Sequence, residues 1–138
     1  MLSRSMLVIG FLTLAMVIPS AARATDFDGS RSLLVAIIDV IECQPGGQCE
    51  NVSPQQARIP RFLEIEFDQK EISEVGDNQE ERRTAIQQMT ENEDVLILQG
   101  SQNGRGWSIT ISKTSGEAVI AVSDPLSGFV LFGACTPR

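Results

Sequence analysis

The sequence predicts an all-β domain: a mostly antiparallel meander of eight to nine short strands closing into a small barrel. Three observations predict it. Beyond residue 24, apolar residues recur mostly with period two, the mark of strands. Clusters of Gly, Asn, Asp and Pro interrupt these runs at the short intervals of a meander. None of these turn segments is long enough to house a crossover helix, so neighbouring strands should run antiparallel. A sheet of that many strands seldom stays open and flat, because closure removes its exposed edges.

The chain opens with Met1–Ala24, which reads as a cleavable secretory signal. Arg4 precedes an uncharged apolar run, Leu7–Ile18, and Ala22-Arg23-Ala24 supplies the small-x-small pattern of a signal peptidase site. The run is too short to span about 30 Å of hydrocarbon as a helix. No Cys near the cleavage site offers itself for lipidation. Cleavage after Ala24 would leave Thr25–Arg138 as a single domain, soluble in the periplasm or outside the cell, with no membrane insertion.

Within that domain Thr25–Ser32 reads as a flexible lead-in. Leu33–Cys43 (LLVAIIDVIEC) is ambiguous. As a strand it is apolar on both faces; as a helix packed on the sheet it would align Leu33, Leu34, Ile37, Ile38 and Ile41 in one stripe. Its Val and Ile content favours the strand. Arg61–Asp68 alternates, with Leu63, Ile65 and Phe67 opposing Glu64, Glu66 and Asp68. Lys70 and Glu71 turn the chain into a short strand at Ile72–Val75, and Gly76-Asp77-Asn78 turns it again. Arg82–Thr90 is a weaker, more polar strand. Asp94–Gln99, Gly106–Lys113, Glu117–Asp124 and Gly128–Thr136 complete the set. The clearest of them is Gly106–Lys113, with Trp107, Ile109 and Ile111 on one face.

Three Cys in an exported chain point to an oxidising compartment. Cys43 and Cys49 flank Gln-Pro-Gly-Gly-Gln, which bends the chain so that the sulfurs can meet. Such a clip stabilises by roughly 2 kcal/mol in the chain-entropy model. The alternative, Cys43–Cys135, is disfavoured if the first and last strands pair antiparallel. The two Cys would then sit at opposite ends of the barrel, and Cys135 would come near Leu33–Val35, which offers no partner. A Cys43–Cys49 disulfide and a free thiol at Cys135 are therefore expected. The spacing is longer than that of redox motifs.

Composition narrows the function. The chain has no His and no Tyr. The usual neutral-pH general base, the Ser-His and Cys-His pairs and the commonest zinc ligand are all missing. Ser101, Ser123 and Ser127 have no His to activate them. No motif for a cofactor is present, and no enzyme is expected. The formal net charge is −7, and loss of Arg4 and Arg23 with the signal takes it to −9. That balance argues against nucleic acid as a partner.

Two sets of residues invite a site. Glu64, Glu66 and Asp68 form a weak candidate for a divalent cation, since hard cations take several oxygens. Carboxylates along one strand face stand about 7 Å apart, too far for all three to share an ion, so a solvated outer face is the simpler reading. Glu91, Glu93 and Asp94 read the same way. Gly100–Trp107 (GSQNGRGW) is the most distinctive stretch. Asn103, Arg105 and Trp107 make it a candidate interaction loop: Arg105 would grip an anion or a carboxylate and Trp107 would floor a pocket. The plainer reading is a hairpin with glycines at positive φ and a Trp anchoring the core.

The segments CQPGGQC (43–49), IPRFLEIEF (59–67), LILQGSQNGRGWSITI (96–111) and GFVLFGACTP (128–137) together resemble a family of small exported bacterial proteins of unknown function. GRGWS and the terminal FGACT are its most specific pieces. The resemblance covers almost the whole of Thr25–Arg138 and brings no established activity. It implies that relatives carry a further Cys in the segment matching Leu33–Ala36, where this chain has Val35, and pair it with the Cys matching Cys135. The expected function is a non-enzymatic module that binds a small ligand or a protein partner. A periplasmic inhibitor or accessory protein of a hydrolase is the alternative, and a carboxylate-based enzyme stands behind both.

Overall fold

The structure, a computed structural model, describes residues 25–76 and 82–138. The expected signal peptide, Met1–Ala24, lies outside the described residues, as do Asp77 and Asn78 of the expected turn. Within them the chain forms β1 (Leu33–Gln44), β2 (Gln48–Val52), α1 (Pro54–Ala57), β3 (Phe62–Glu66), β4 (Glu71–Glu74) and β5 (Arg83–Ala85). It continues through β6 (Gln88–Glu91), β7 (Val95–Gln102), β8 (Arg105–Ser112), β9 (Glu117–Ser123) and β10 (Gly128–Pro137).

All pairings are antiparallel, and nine strands follow the order β5-β4-β3-β1-β10-β9-β8-β7-β6. β2 pairs with the second half of β1, beyond the stretch that β3 covers. The sheet curls into a half-barrel. Its two outermost strands, β5 and β6, are consecutive in the chain, and the link between them ties both edges. Ile86 N–H donates to the Lys70 carbonyl (2.8 Å) and Gln87 N–H to the Gln99 carbonyl (2.9 Å). The expected single strand over Arg82–Thr90 is thus two short strands, because it changes partner midway from β4 to β7.

Leu33–Cys43 is a strand, and the helical alternative is overturned. β1 is the spine of the sheet, pairing with β10, β3 and β2. A helix would leave all three partner edges without hydrogen bonds. The apolar residues on both its faces have a local cause. Register with β10 shifts between Ile37 and Asp39, so Ile38 is an extra residue in a β-bulge and stands 63% exposed. The bulge resets the phase: Leu33, Val35 and Ile37 point inward before it and Val40 after it. Gly133 faces Ile37 across the pair, and a Cβ there would lie 2.4 Å from the Ala36 carbonyl oxygen. Glycine lets the bulged backbone come this close.

The barrel core is built in cross-strand layers. Val40, Leu131, Ile120, Ile109 and Leu98 are successive register partners across five strands, and all are buried. One layer away run Ile37, Gly133, Ala118, Ile111 and Leu96. These layers realise the period-two pattern of the sequence.

Two elements lie outside the expected set, and a third segment departs from its expected state. β2 is almost wholly exposed and has no apolar alternation, so its strand state comes from the hairpin that Cys43–Cys49 closes. α1 starts with a capping box: the Ser53 hydroxyl accepts from Gln56 N–H, and the Gln56 side chain accepts from Ser53 N–H. The expected flexible lead-in, Thr25–Ser32, is instead packed. Phe27 lies against the core, and a Cβ on Gly116 would come within 2.6 Å of its ring.

Candidate functional site

The two ends of the half-barrel are filled differently. At one end, the turns after β3 and β8 meet the N-terminal segment. Gly29 sits against Leu96 and Phe67, and Phe27 against Gly116. Leu33, Ile65, Leu96 and Ile111 beneath them are fully buried. The opposite end carries the β7–β8 and β9–β10 turns and α1. There the barrel holds a cavity of about 400 Å³, open to solvent at its mouth.

Ile109, Ile120 and Leu131 of the middle layer form the cavity floor. Phe129, Val122 and Trp107, register partners in the next layer, form one wall, and Leu63 and Ile72 stand opposite. Gly100 explains why Trp107 leaves the centre open. A Cβ at Gly100 would lie 2.3 Å from the indole ring, so the ring lies flat over the glycine, against the wall. Its Nε1–H donates to Thr84 Oγ1 of β5 (3.2 Å), and Gln102 Nε2 donates to the Arg83 carbonyl (2.6 Å). Trp107 is therefore both a wall of the cavity and a tie across the barrel seam.

The mouth is polar. Arg58, Arg82, Arg105, Glu74, Gln102 and Asn103 line it. Asn103 and Gly104 both take positive φ (51° and 78°) at the centre of the two-residue β7–β8 turn, the geometry Asn-Gly supplies. Arg82 Nε pairs with Glu74 at 3.1 Å. Arg105 Nε lies 3.4 Å from Asp124 Oδ2. Asp124 is held by Leu126 N–H and Ser127 N–H, each at 2.8 Å, and by the Ser127 hydroxyl. These hydrogen bonds, led by the Leu126 amide, keep its carboxyl below the usual carboxylate range. Arg58 closes α1 in the left-handed region (φ 55°, ψ 38°).

The candidate interaction loop thus joins the cavity: Asn103, Arg105 and Trp107 all line it. The weak cation candidate is not assembled. Glu64 pairs with Arg138, Glu66 accepts from the Ser32 hydroxyl at 2.6 Å, and Asp68 lies past the end of β3. No cluster of three potential metal ligands occurs among the described residues. Glu91 pairs with Lys113, and the Asn92 side chain caps Asp94 and Val95 N–H. Cys43 and Cys49 form a disulfide across the β1–β2 hairpin. Cys135 is an unpaired, buried thiol opposite Val35 at the closed end, and burial pushes its pKa up to about 11. No helix among the described residues is long and apolar enough to cross a membrane.

Three elements of the mouth carry no functional motif in the sequence. Arg58 ends α1, Arg82 precedes β5, and Glu74 ends β4; only the curl of the sheet brings them to Arg105. The one local signal was Ser53-Pro54-Gln55-Gln56, whose capping-box spacing marks a helix start just before Arg58.

Fold and site define a small antiparallel half-barrel with one plugged end and one end open to a cavity. No family model, curated protein or solved structure matches the chain.

Proposed function

We propose that the protein is an exported, non-enzymatic binding module that takes a small ligand into the open end of its half-barrel. The observation that carries this reading is the cavity of about 400 Å³, with an apolar floor and a polar, Arg-bearing rim. Ligand sites are concave, mostly apolar and fitted with a few placed polar groups, and span about 300–1,000 Å³. Export rests on the signal pattern of Met1–Ala24, and the Cys43–Cys49 disulfide suits an oxidising compartment. The resemblance to a family of exported bacterial proteins fits the same location. With no His in the chain, the Ser127–Asp124 hydrogen bond lacks the base that would make it a nucleophile pair.

A second reading is a protein-interaction role, including inhibition of a hydrolase. It is supported by the exposed β7–β8 tip, where Gln102, Asn103, Gly104 and Arg105 project at the cavity mouth. The two readings share residues but need different depths of contact.

Native mass spectrometry of the protein isolated from an exporting host tests the first. A bound mass that disappears on denaturation, with the chain beginning at Thr25, is expected. Leu131→Phe, which fills the floor, should abolish the adduct while circular dichroism stays unchanged. Trp107 is the only Trp in the chain and lines the cavity, so its emission reports occupancy directly. An empty protein whose Trp107 emission ignores apolar, anionic and cationic probes alike sinks the cavity reading. A hydrolase inhibited by the wild type, and spared when Arg105 is replaced, would establish the second.

A further inference from the structure

We infer that the cavity selects a compact amphiphile with one anionic head group, its apolar body on the floor and its head held by Arg58 and Arg105; this rests on the binding role proposed above. The first observation is the charge of the rim. The whole chain is acidic, at −7, yet three of its eleven basic residues line this one cavity. A single acid, Glu74, lines it with them, and that carboxylate is taken up by Arg82 at 3.1 Å. The surplus at the rim is positive. Charges elsewhere on the surface are screened beyond about 10 Å at moderate salt, so the rim dominates what a ligand meets.

The second observation is how the two remaining Arg side chains are engaged. Arg105 approaches Asp124 through Nε, at 3.4 Å, and its terminal nitrogens make no hydrogen bond among the described residues. Asp124 is already held by three hydrogen bonds from the β9–β10 turn, so it anchors Arg105 without wrapping it. Arg58 has no ion pair and no side-chain hydrogen bond among the described residues. It also occupies the left-handed region, which a non-glycine residue adopts at a cost. Guanidinium groups offer forked donors matched to a carboxylate, sulfonate or phosphate.

The floor sets the rest of the ligand. No polar or charged residue is buried among the described residues, and Ile109, Ile120, Leu131 and Phe129 offer no hydrogen-bond partner. A second polar group on the ligand would lie unsatisfied against this floor, and of the two hydroxyls that line the cavity, Ser73 and Thr84, the second already accepts from Trp107 Nε1–H, which disfavours sugars and polyanions. A cationic head finds only Glu74, already paired. One apolar body with one anionic head is what remains.

The test titrates the purified full-length secreted protein with decanoate, decanol and decyltrimethylammonium, each below its micelle concentration, followed by Trp107 emission and calorimetry. Decanoate should bind about tenfold more tightly than decanol, the discrimination expected of a charge-assisted contact. Arg58→Ala and Arg105→Ala should each lower decanoate affinity toward that of decanol, Arg58→Lys should restore part of it, and Arg31→Ala at the closed end should change nothing. Equal binding of decanoate and decanol, preference for the cation, or a decanoate preference that survives Arg58→Ala with Arg105→Ala overturns the anionic-head assignment and leaves the cavity reading standing. Failure of all three probes in a folded protein overturns both.

Discussion

The closed and open ends of the half-barrel are made by the same strands and differ in what enters them. β1, β7, β8, β9 and β10 run from one to the other. Each end also receives a segment that belongs to no strand. At the closed end it is Thr25–Ser32, which brings Phe27 against the core and meets Phe67 from the turn after β3. At the open end it is α1 with residues 58–61, whose contributions are Pro54, Ala57 and Ile59. Two phenyl rings close one end; a methyl, a small ring and one branched chain leave about 400 Å³ at the other. Trp107 has the bulk to fill that space, but Gly100 lets it lie along the wall. A barrel cavity is therefore decided less by its strands than by the plugs at its ends and by one glycine that lets a large ring turn aside.

The strongest way to sharpen this contrast is to staple the closed end. Cys135 N–H donates away from β1, to the Gly116 carbonyl at 2.7 Å, so Val35 and Cys135 form a non-hydrogen-bonded pair. In such pairs the Cα atoms lie about 4.5 Å apart, within disulfide reach. Val35→Cys should oxidise with Cys135. A loop of about 100 residues closed in this way should stabilise by about 5 kcal/mol. Thiol titration and urea unfolding check it, and cavity occupancy should not change. Two free thiols after oxidation would show the register to be wrong.

Truncation at the two ends should differ next most. Leu96 at the closed end is 0% exposed, and Leu96→Ala should cost about 4 kcal/mol. Leu131→Ala should cost about 2 kcal/mol, because that side chain already borders a void and loses fewer contacts. Equal urea midpoints for the two variants would break the contrast between the ends. Removing the clip with Cys43→Ala and Cys49→Ala should cost about 2 kcal/mol. Since β2 leads directly into α1 and the 57–60 wall of the cavity, ligand affinity should fall with it. An unchanged affinity would show that α1 is held by its own cap and by Pro54.

The smallest effect is in alkali. Burial raises the Cys135 pKa from 9.0 to about 11. Between these values the unfolded chain has lost a proton that the folded protein keeps, so stability is fully present below pH 9 and falls as pH rises toward 11. Cys135→Ala should flatten the loss of urea midpoint over that window. In the folded wild type at pH 8, a disulfide reagent should label Cys135 slowly, and denaturant should release it. Rapid labelling would place the thiol at the surface.

Much of the fold was legible because its signals are local. Trp107, Ile109 and Ile111 alternate within one strand, and Asn103-Gly104 sits where a two-residue turn needs positive φ. The antiparallel closure of the first strand on the last could be argued from the meander alone, and with it the Cys43–Cys49 pairing. The segments that depart from expectation do so for local reasons too. Gln48–Val52 shows no apolar alternation, since its pairing comes from the disulfide hairpin. Thr25–Ser32 reads as polar lead-in, because a single Phe27 does not announce that a core lies within reach.

The sequence by itself determined most of the strands, the inward faces of β3 and β8, the hairpin turn and the clip. Those follow from period, β-branching and the backbone freedom of Gly and Asn, all of which act within a few residues. Only the tertiary structure decided that Ile38 is a bulge, that one end is plugged and the other hollow, and that Arg58, Arg82 and Arg105 share one rim. These depend on volumes and charges brought together across the sheet by its curl, a sum over distant residues that no local pattern carries.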